Sequence, residues 1–262
     1  MENNDTIFKR FDLLKPNRSV WESHWEEIAE RILPRSAEFT GERQQGDKRT
    51  QKMYDATAAL ALERFAAAVE SLLTPRGARW HTLRTNDPYI NRDDAVKLYF
   101  DQVQQVMFSH RYSPKANFAS QVHEGYLGLG AFGTNGLFVD EAPIKGSIYR
   151  AVHLADLFIA ENQHGVIDTV FRRFEVSARQ AAQMFQDGEL SDDLRKTAKD
   201  KPDDRVKLLH VVMPRRDRLP NRAGRQNAAF FSGYFEVKTK HMLEEGGFDT
   251  MPYIVSRYNT GP

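Results

Sequence analysis

Between Met53 and Leu83 the chain carries its clearest periodic signal. Ala58, Leu62, Phe65, Val69, Leu72 and Leu73 recur at three- and four-residue steps, which places them on one stripe of an α-helix. Alanine fills much of the remainder, so helix propensity agrees with the pattern. Its small side chains also let another helix or subunit approach closely. Pro75 disfavours helical geometry at Thr74 and has no N–H of its own, so the helix is expected to stop there. Gly77 frees the backbone, and Arg79 to Leu83 reads as a short strand or extended crossing.

The same periodicity predicts helices on both sides. Residues 5–33 are helical: Ile7, Phe8, Phe11 and Leu14 share a face, and Lys15-Pro16 interrupts the run. A second helix is expected from Asn17 or Ser19, with Glu22 completing a capping box, and with Trp21, Trp25, Ile28, Ile32 and Leu33 as its stripe. Pro34 ends it. Residues 35–52 are polar and rich in Gly, Gln and Arg, the signature of a mobile surface loop. Asn91 is the expected cap of a third helix carrying Val96, Tyr99, Phe100, Val103, Val106 and Met107. Ser113-Pro114 breaks that pattern before a fourth, with Phe118, Val122, Tyr126 and Leu129 on one side.

Then the period changes from helical to alternating. Leu137–Val139, Ile148–Val152, Leu157–Ala160 and Val166–Phe174 are short β-type runs, with a turn at Asn162–Gly165. Ser177 caps a small helix through Phe185, and a charged helix or loop covers Leu190 to Lys201. Strand signals return at Arg205–Met213, Phe230–Thr239 and Tyr253–Tyr258. Helices first and neighbouring strands after give an α+β fold: an N-terminal helical layer followed by a mostly antiparallel β-sheet. We expect residues 1–133 to form the helical part and 134–262 the β-rich part of one compact unit.

Composition narrows the function classes only by exclusion. The chain has 262 residues, of which 40% are hydrophobic and 28% charged, the balance of an ordinary soluble protein. Lys+Arg at 37 against Asp+Glu at 36 leaves a formal charge of +1, so nucleic-acid contact must come from a local patch or from surface created in an oligomer. Zero cysteines exclude disulfides and thiolate metal sites. No charged-then-apolar leader precedes residue 20, and the longest apolar run is broken by Glu63 and Arg64, so neither a secretory signal nor a membrane partner is expected.

Motifs that suggest chemistry fail on context. Gly128, Gly130 and Gly133 match a dinucleotide fingerprint as a string, but that motif needs a strand before and a helix after it, and here the order is reversed. The plainer reading is a helix end packed closely against the sheet. The stretch from Gly41 to Thr50 nearly matches a phosphate-binding loop, with Asp47 where the lysine belongs. The eight histidines never pair four residues apart, and nothing places a nucleophile beside a base. No catalytic residue, cofactor or metal is expected. Arg215, Arg216, Arg218, Arg222 and Arg225 differ in kind: five arginines in eleven residues, read either as a solvated loop between strands or as a contact for phosphates or an acidic partner. A nucleic-acid-binding module using this loop is the alternative reading.

The order of features resembles the portal proteins of short-tailed bacteriophages, the head-to-tail connecting family. The resemblance rests on Tyr54-Asp55-Ala56-Thr57-Ala58 running into Leu72-Leu73-Thr74-Pro75 with Trp80 after, and on Gly130-Ala131-Phe132-Gly133-Thr134 leading into Leu137-Phe138-Val139. It also rests on His153 to Ile159 followed by Gly165-Val166-Ile167-Asp168, and on Met251 to Tyr258. The resemblance implies a homo-oligomeric ring of twelve copies at a capsid vertex of the virion, assembled in the host cytoplasm. Double-stranded DNA is packaged and ejected through such a ring. The implied partners are capsid shell protein, a separate ATP-driven packaging motor and tail proteins. The chain would correspond to the wing of such a protein, without stem, clip and crown. On that view Ala56, Ala59, Ala66 and Ala67 become a face for close packing against a helix or a neighbouring subunit.

Overall fold

A computed structural model of the chain describes residues 3–41, 48, 50–141, 146–185, 189–219 and 224–258. Among them run the helices α1 (Asn4–Ile32), α2 (Thr57–Leu73), α3 (Asp94–Arg111) and α4 (Phe118–Phe132), then strands β1 (Thr134–Glu141), β2 (Ser147–Val152), β3 (Leu157–Glu161) and β4 (Ile167–Ser177). Helices α5 (Ala178–Met184) and α6 (Asp192–Asp200) follow, and β5 (Arg205–Pro214), β6 (Phe230–Glu236), β7 (Met242–Phe248) and β8 (Tyr253–Arg257) complete the order. The fold is α+β with every strand pair antiparallel. Helices α1 to α4 precede β1, whereas α5 and α6 lie between β4 and β5, and the chain forms two compact units that interleave in sequence. One comprises Met1–His24 with Leu154–Pro252, the other Trp25–His153 with Tyr253–Pro262. The reason is that α4 packs on β1 and β2, so those strands belong with the helices that precede them.

In the first unit a five-stranded meander, ordered β3-β4-β5-β6-β7, is covered on both faces. The central strand β5 is accordingly a nearly continuous buried run rather than an alternating one. Leu209, Val211 and Met213 meet Ile7, Phe8 and Phe11 of α1 on one side. Leu208 meets Ala178, Ala181, Phe185, Leu190 and Leu194 from α5, α6 and their connection on the other. Both short helices start as sequence chemistry requires: Ser177 and Gln180 form a reciprocal capping box, and Ser191 Oγ accepts from the Leu194 amide at 3.1 Å.

Helix α1 corrects the expected break at Pro16, because the chain stays helical through it. A proline's fixed φ is compatible with helix; what it removes is one hydrogen bond. Packing on both sides holds the helix across the gap. Before it, Phe11 lies edge-on to Phe158 with centroids 4.9 Å apart. After it, the Arg18 guanidinium donates to the carbonyls of Leu154 and Leu157, lies 4.1 Å over the Phe158 ring and pairs with Glu22 at 3.0 Å. Burial lowers the Arg18 pKa to about 10, with Glu22 opposing the shift. Asn17 and Ser19, expected as caps, are interior helix positions.

In the second unit β1 is the centre of a three-stranded sheet ordered β2-β1-β8, with α4 laid on it. Asn135 on β1 donates to the Gly125 carbonyl at 2.8 Å, and a side chain at Gly125 would press on that same Asn135. The outer edge of β2 is partly closed: its Tyr149 and Ala151 amides donate to the Ala116 carbonyl and the Gln121 side chain. The loop expected at 35–52 is not wholly surface. Ala37 and Phe39 are buried, with Phe39 packed against Trp25, Phe132 and His153, while residues 42–47 and 49, including most of the phosphate-loop near match, lie outside the described residues. A second aromatic group gathers Trp80, His81, Phe108, Tyr112, Phe118 and Tyr149, with Arg111 set 4.8 Å over Trp80. Helix α3 starts two residues late: Asp93 caps it, and Asn91 instead bonds the backbone of Thr85.

Strand β7 was not legible in the pattern. Its sequence holds two glutamates and the pair Gly246-Gly247. Gly247 is required by close approach, since a Cβ there would meet the Arg225 carbonyl and lie 2.7 Å from the Phe230 carbonyl.

Candidate interaction surfaces

The arginine-rich segment connects β5 to β6, as expected, but its members divide. Arg215 begins the connection with its amide bonded to the Ala229 carbonyl at 2.9 Å, which carries its side chain inward. That side chain is 4% exposed; it donates to Glu245 at 2.9 Å and to the Gly246 carbonyl at 2.9 Å, and lies 5.3 Å over the Phe231 ring. Arg215 thus fastens β7 to the sheet and cannot also meet a phosphate. Arg216, Arg218 and Arg225 are exposed, and Arg222 lies outside the described residues. Asn227 locks the base of the segment through paired bonds with the Leu219 backbone, both 2.7 Å.

Helix α2 distributes its apolar residues differently from the expected single stripe. Leu62 and Ala66 are buried and pack with Leu33 and Leu127, and Ala59 and Val69 are half-buried along the same line. Ala58, Phe65, Leu72 and Leu73, which the spacing places on the same stripe as Leu62 and Val69, are exposed. Gly130 of α4 explains the close approach. A Cβ there would lie 2.7 Å from both Leu62 and Phe65, so this glycine makes room for α2 rather than for the sheet. The four predicted packing alanines therefore separate: Ala66 is buried in the cluster with Leu127 of α4 and Ala59 is half-buried, whereas Ala56 and Ala67 stand exposed.

A polar clasp closes the outer end of the α2–α4 contact. His123 Nδ1 is 2.8 Å from Glu70, its Nε2 is 3.5 Å from Glu63, and Arg76 pairs with Glu70 at 2.8 Å. Burial alone would raise the Glu70 pKa, but hydrogen bonds from Arg76 and His123 outweigh it and hold the carboxyl below its usual value. Glu124, beside His123, instead meets Arg35 at 3.2 Å. Among the described residues no three His, Asp or Glu side chains gather as a metal site, and no helix is long and apolar enough to cross a membrane.

His210 on β5 is the strongest electrostatic anomaly. It is wholly buried and stacked on Tyr234 with centroids 4.1 Å apart and planes within 4°, and its Nε2 lies 2.9 Å from Ser232 Oγ. Burial first, and Arg172 second, lower its pKa to about 3. It faces a packed core rather than a cleft, so its role is structural.

Comparison with known proteins bears on what these surfaces are for. Residues 4–262 match the family described as bacteriophage head to tail connecting protein. The chain is similar to the probable portal protein of Bordetella phage BPP-1, 27% identical over 256 residues, covering 96% of this chain and 46% of that protein. It is also similar to the portal protein of Salmonella phage epsilon15, 26% identical over 258 residues, covering 97% of this chain and 46% of that protein. The chain spans about half the length of these curated relatives.

Proposed function

We propose, because the chain belongs to the bacteriophage head to tail connecting protein family, that it builds the wall of a homo-oligomeric portal ring at a vertex of the phage capsid. Double-stranded DNA would enter and leave the head through that ring, with capsid shell protein around it and motor and tail proteins meeting it. The observation that carries the reading is the match across residues 4–262, which leaves almost none of the chain unaccounted for.

The mechanism is geometric, not catalytic. A ring needs subunits rigid enough to hold a fixed bore and two different faces that meet side by side. Two well-packed units and outward apolar helix positions suit that task. A copy number of twelve and residence in host cytoplasm during assembly belong to the same proposal. Multi-angle light scattering of the concentrated protein tests it: the expected mass is a large multiple of 30.1 kDa. A strictly monomeric mass at every concentration overturns it.

A further inference from the structure

Past α2, residues 79–85 run without helix, turn or bend. Burial alternates along them: His81, Leu83 and Thr85 are half-buried, whereas Thr82 and Arg84 are exposed. That two-residue period is the mark of an extended strand. Yet among the described residues this strand pairs in neither sheet. The backbone amides and carbonyls of Thr82, Leu83 and Arg84 have no hydrogen-bond partner among the described residues.

A cleft of about 560 Å³ lies between this strand and α3. Consecutive side chains of a strand point opposite ways, so Thr82, Leu83 and Arg84 can all line the cleft only if the backbone edge itself forms the wall. The facing wall is Val96, Phe100 and Gln104 at four-residue steps along α3, which makes it about 12 Å long. About four residues of extended chain span that length. Gln104 is 4% exposed, and its amide nitrogen donates to the His81 carbonyl. Its oxygen has no partner among the described residues, so an acceptor is left for whatever enters the cleft. Charge narrows the choice further. Asp101 pairs with Arg79, and Lys97 with Asp94 at 2.7 Å. Arg84 has no partner among the described residues, so the rim carries an uncommitted cation.

We propose that this cleft takes an extended, acidic peptide segment of a partner protein, which adds as a strand along residues 82–84 and sets a carboxylate against Arg84. The backbone bonds supply attraction, and alternate side chains turned toward Val96 and Phe100 supply selectivity. A nucleic-acid strand matches the edge less well. Its phosphates could meet Arg84, but they only accept hydrogen bonds and would leave the carbonyls of the strand unpaired. The cleft lies within one chain, so the proposal stands whether or not copies form a ring.

A display library of random octapeptides, sorted on the whole 262-residue protein, tests this. Enriched peptides should alternate apolar and polar positions and carry an aspartate or glutamate. Synthesised singly, they should bind Arg84→Glu about tenfold more weakly or worse, the effect of losing one charge-assisted bond. The thermal midpoint of that variant should be unchanged, because Arg84 is exposed. A strand added along one edge bonds every second residue. Bound peptide should therefore slow hydrogen exchange either at Leu83 or at Thr82 and Arg84, and not at all three. Sorting that enriches nothing, peptides that bind Arg84→Glu equally well, or binding that leaves exchange at residues 82–84 fast overturns the proposal. Protection of these amides that grows with protein concentration alone would put a second copy in the cleft and overturns it too. So does a single-stranded DNA octamer that binds as tightly and protects the same amides.

Discussion

His210 and Arg215 are both buried, yet their chemistry points in opposite directions. His210 is held neutral with a pKa of about 3 against 6.5 for the free side chain. Above pH 6.5 it is uncharged in both states and contributes no pH dependence. Between 6.5 and about 3 the unfolded chain takes up a proton that the folded one refuses, so stability falls as pH falls, by up to ~1.4 kcal/mol per pH unit from this residue. Urea unfolding across that window should show the slope, and His210→Gln should flatten it. Arg215 instead pairs with Glu245, which is itself only 12% exposed. Arg215→Ala leaves that carboxylate buried without this partner and should lower stability by about 3 kcal/mol, whereas Arg218→Ser should stay within ~0.5 kcal/mol. Thermal melts decide between them. The arginine cluster was visible in the sequence, but its division was not, because the partner of Arg215 lies on a strand the pattern had missed.

At the scale of elements, spacing identified helices well and their surroundings less well. The periodicity of α2 was real, but an alanine-rich helix with apolar positions on two lines does not declare which line meets its own chain. Gly130 on α4 decides it, by admitting Leu62 and Phe65. Ala66→Leu should therefore overpack the α2–α4 contact and cost about 1–3 kcal/mol, while Ala67→Leu on the exposed side should be nearly neutral. Strand β7 was missed because glycine and glutamate are poor strand formers. Its glycines are unequal: Gly247→Ala drives a methyl group into two backbone carbonyls and should cost ~2–4 kcal/mol, while Gly246→Ala meets nothing within 4 Å and should be neutral or slightly stabilising. Differential scanning fluorimetry of the pair would separate them, at about 2–4 °C per kcal/mol for a chain of this size. Pro16 misled for a different reason, since local propensity argued for a break and tertiary packing on Phe158 overrode it.

For the whole molecule, the sequence order of helices then antiparallel strands was legible, and so was the family. The partition into units was not, because it depends on which strands α4 covers, a long-range pairing with no signature in local spacing. On the proposed function, copies of the chain assemble side by side around an axis. Electron microscopy of the purified protein tests this most directly. Rings with an open centre and one uniform copy number are expected. Single particles of monomer size, or open filaments with no closed rings, would contradict it.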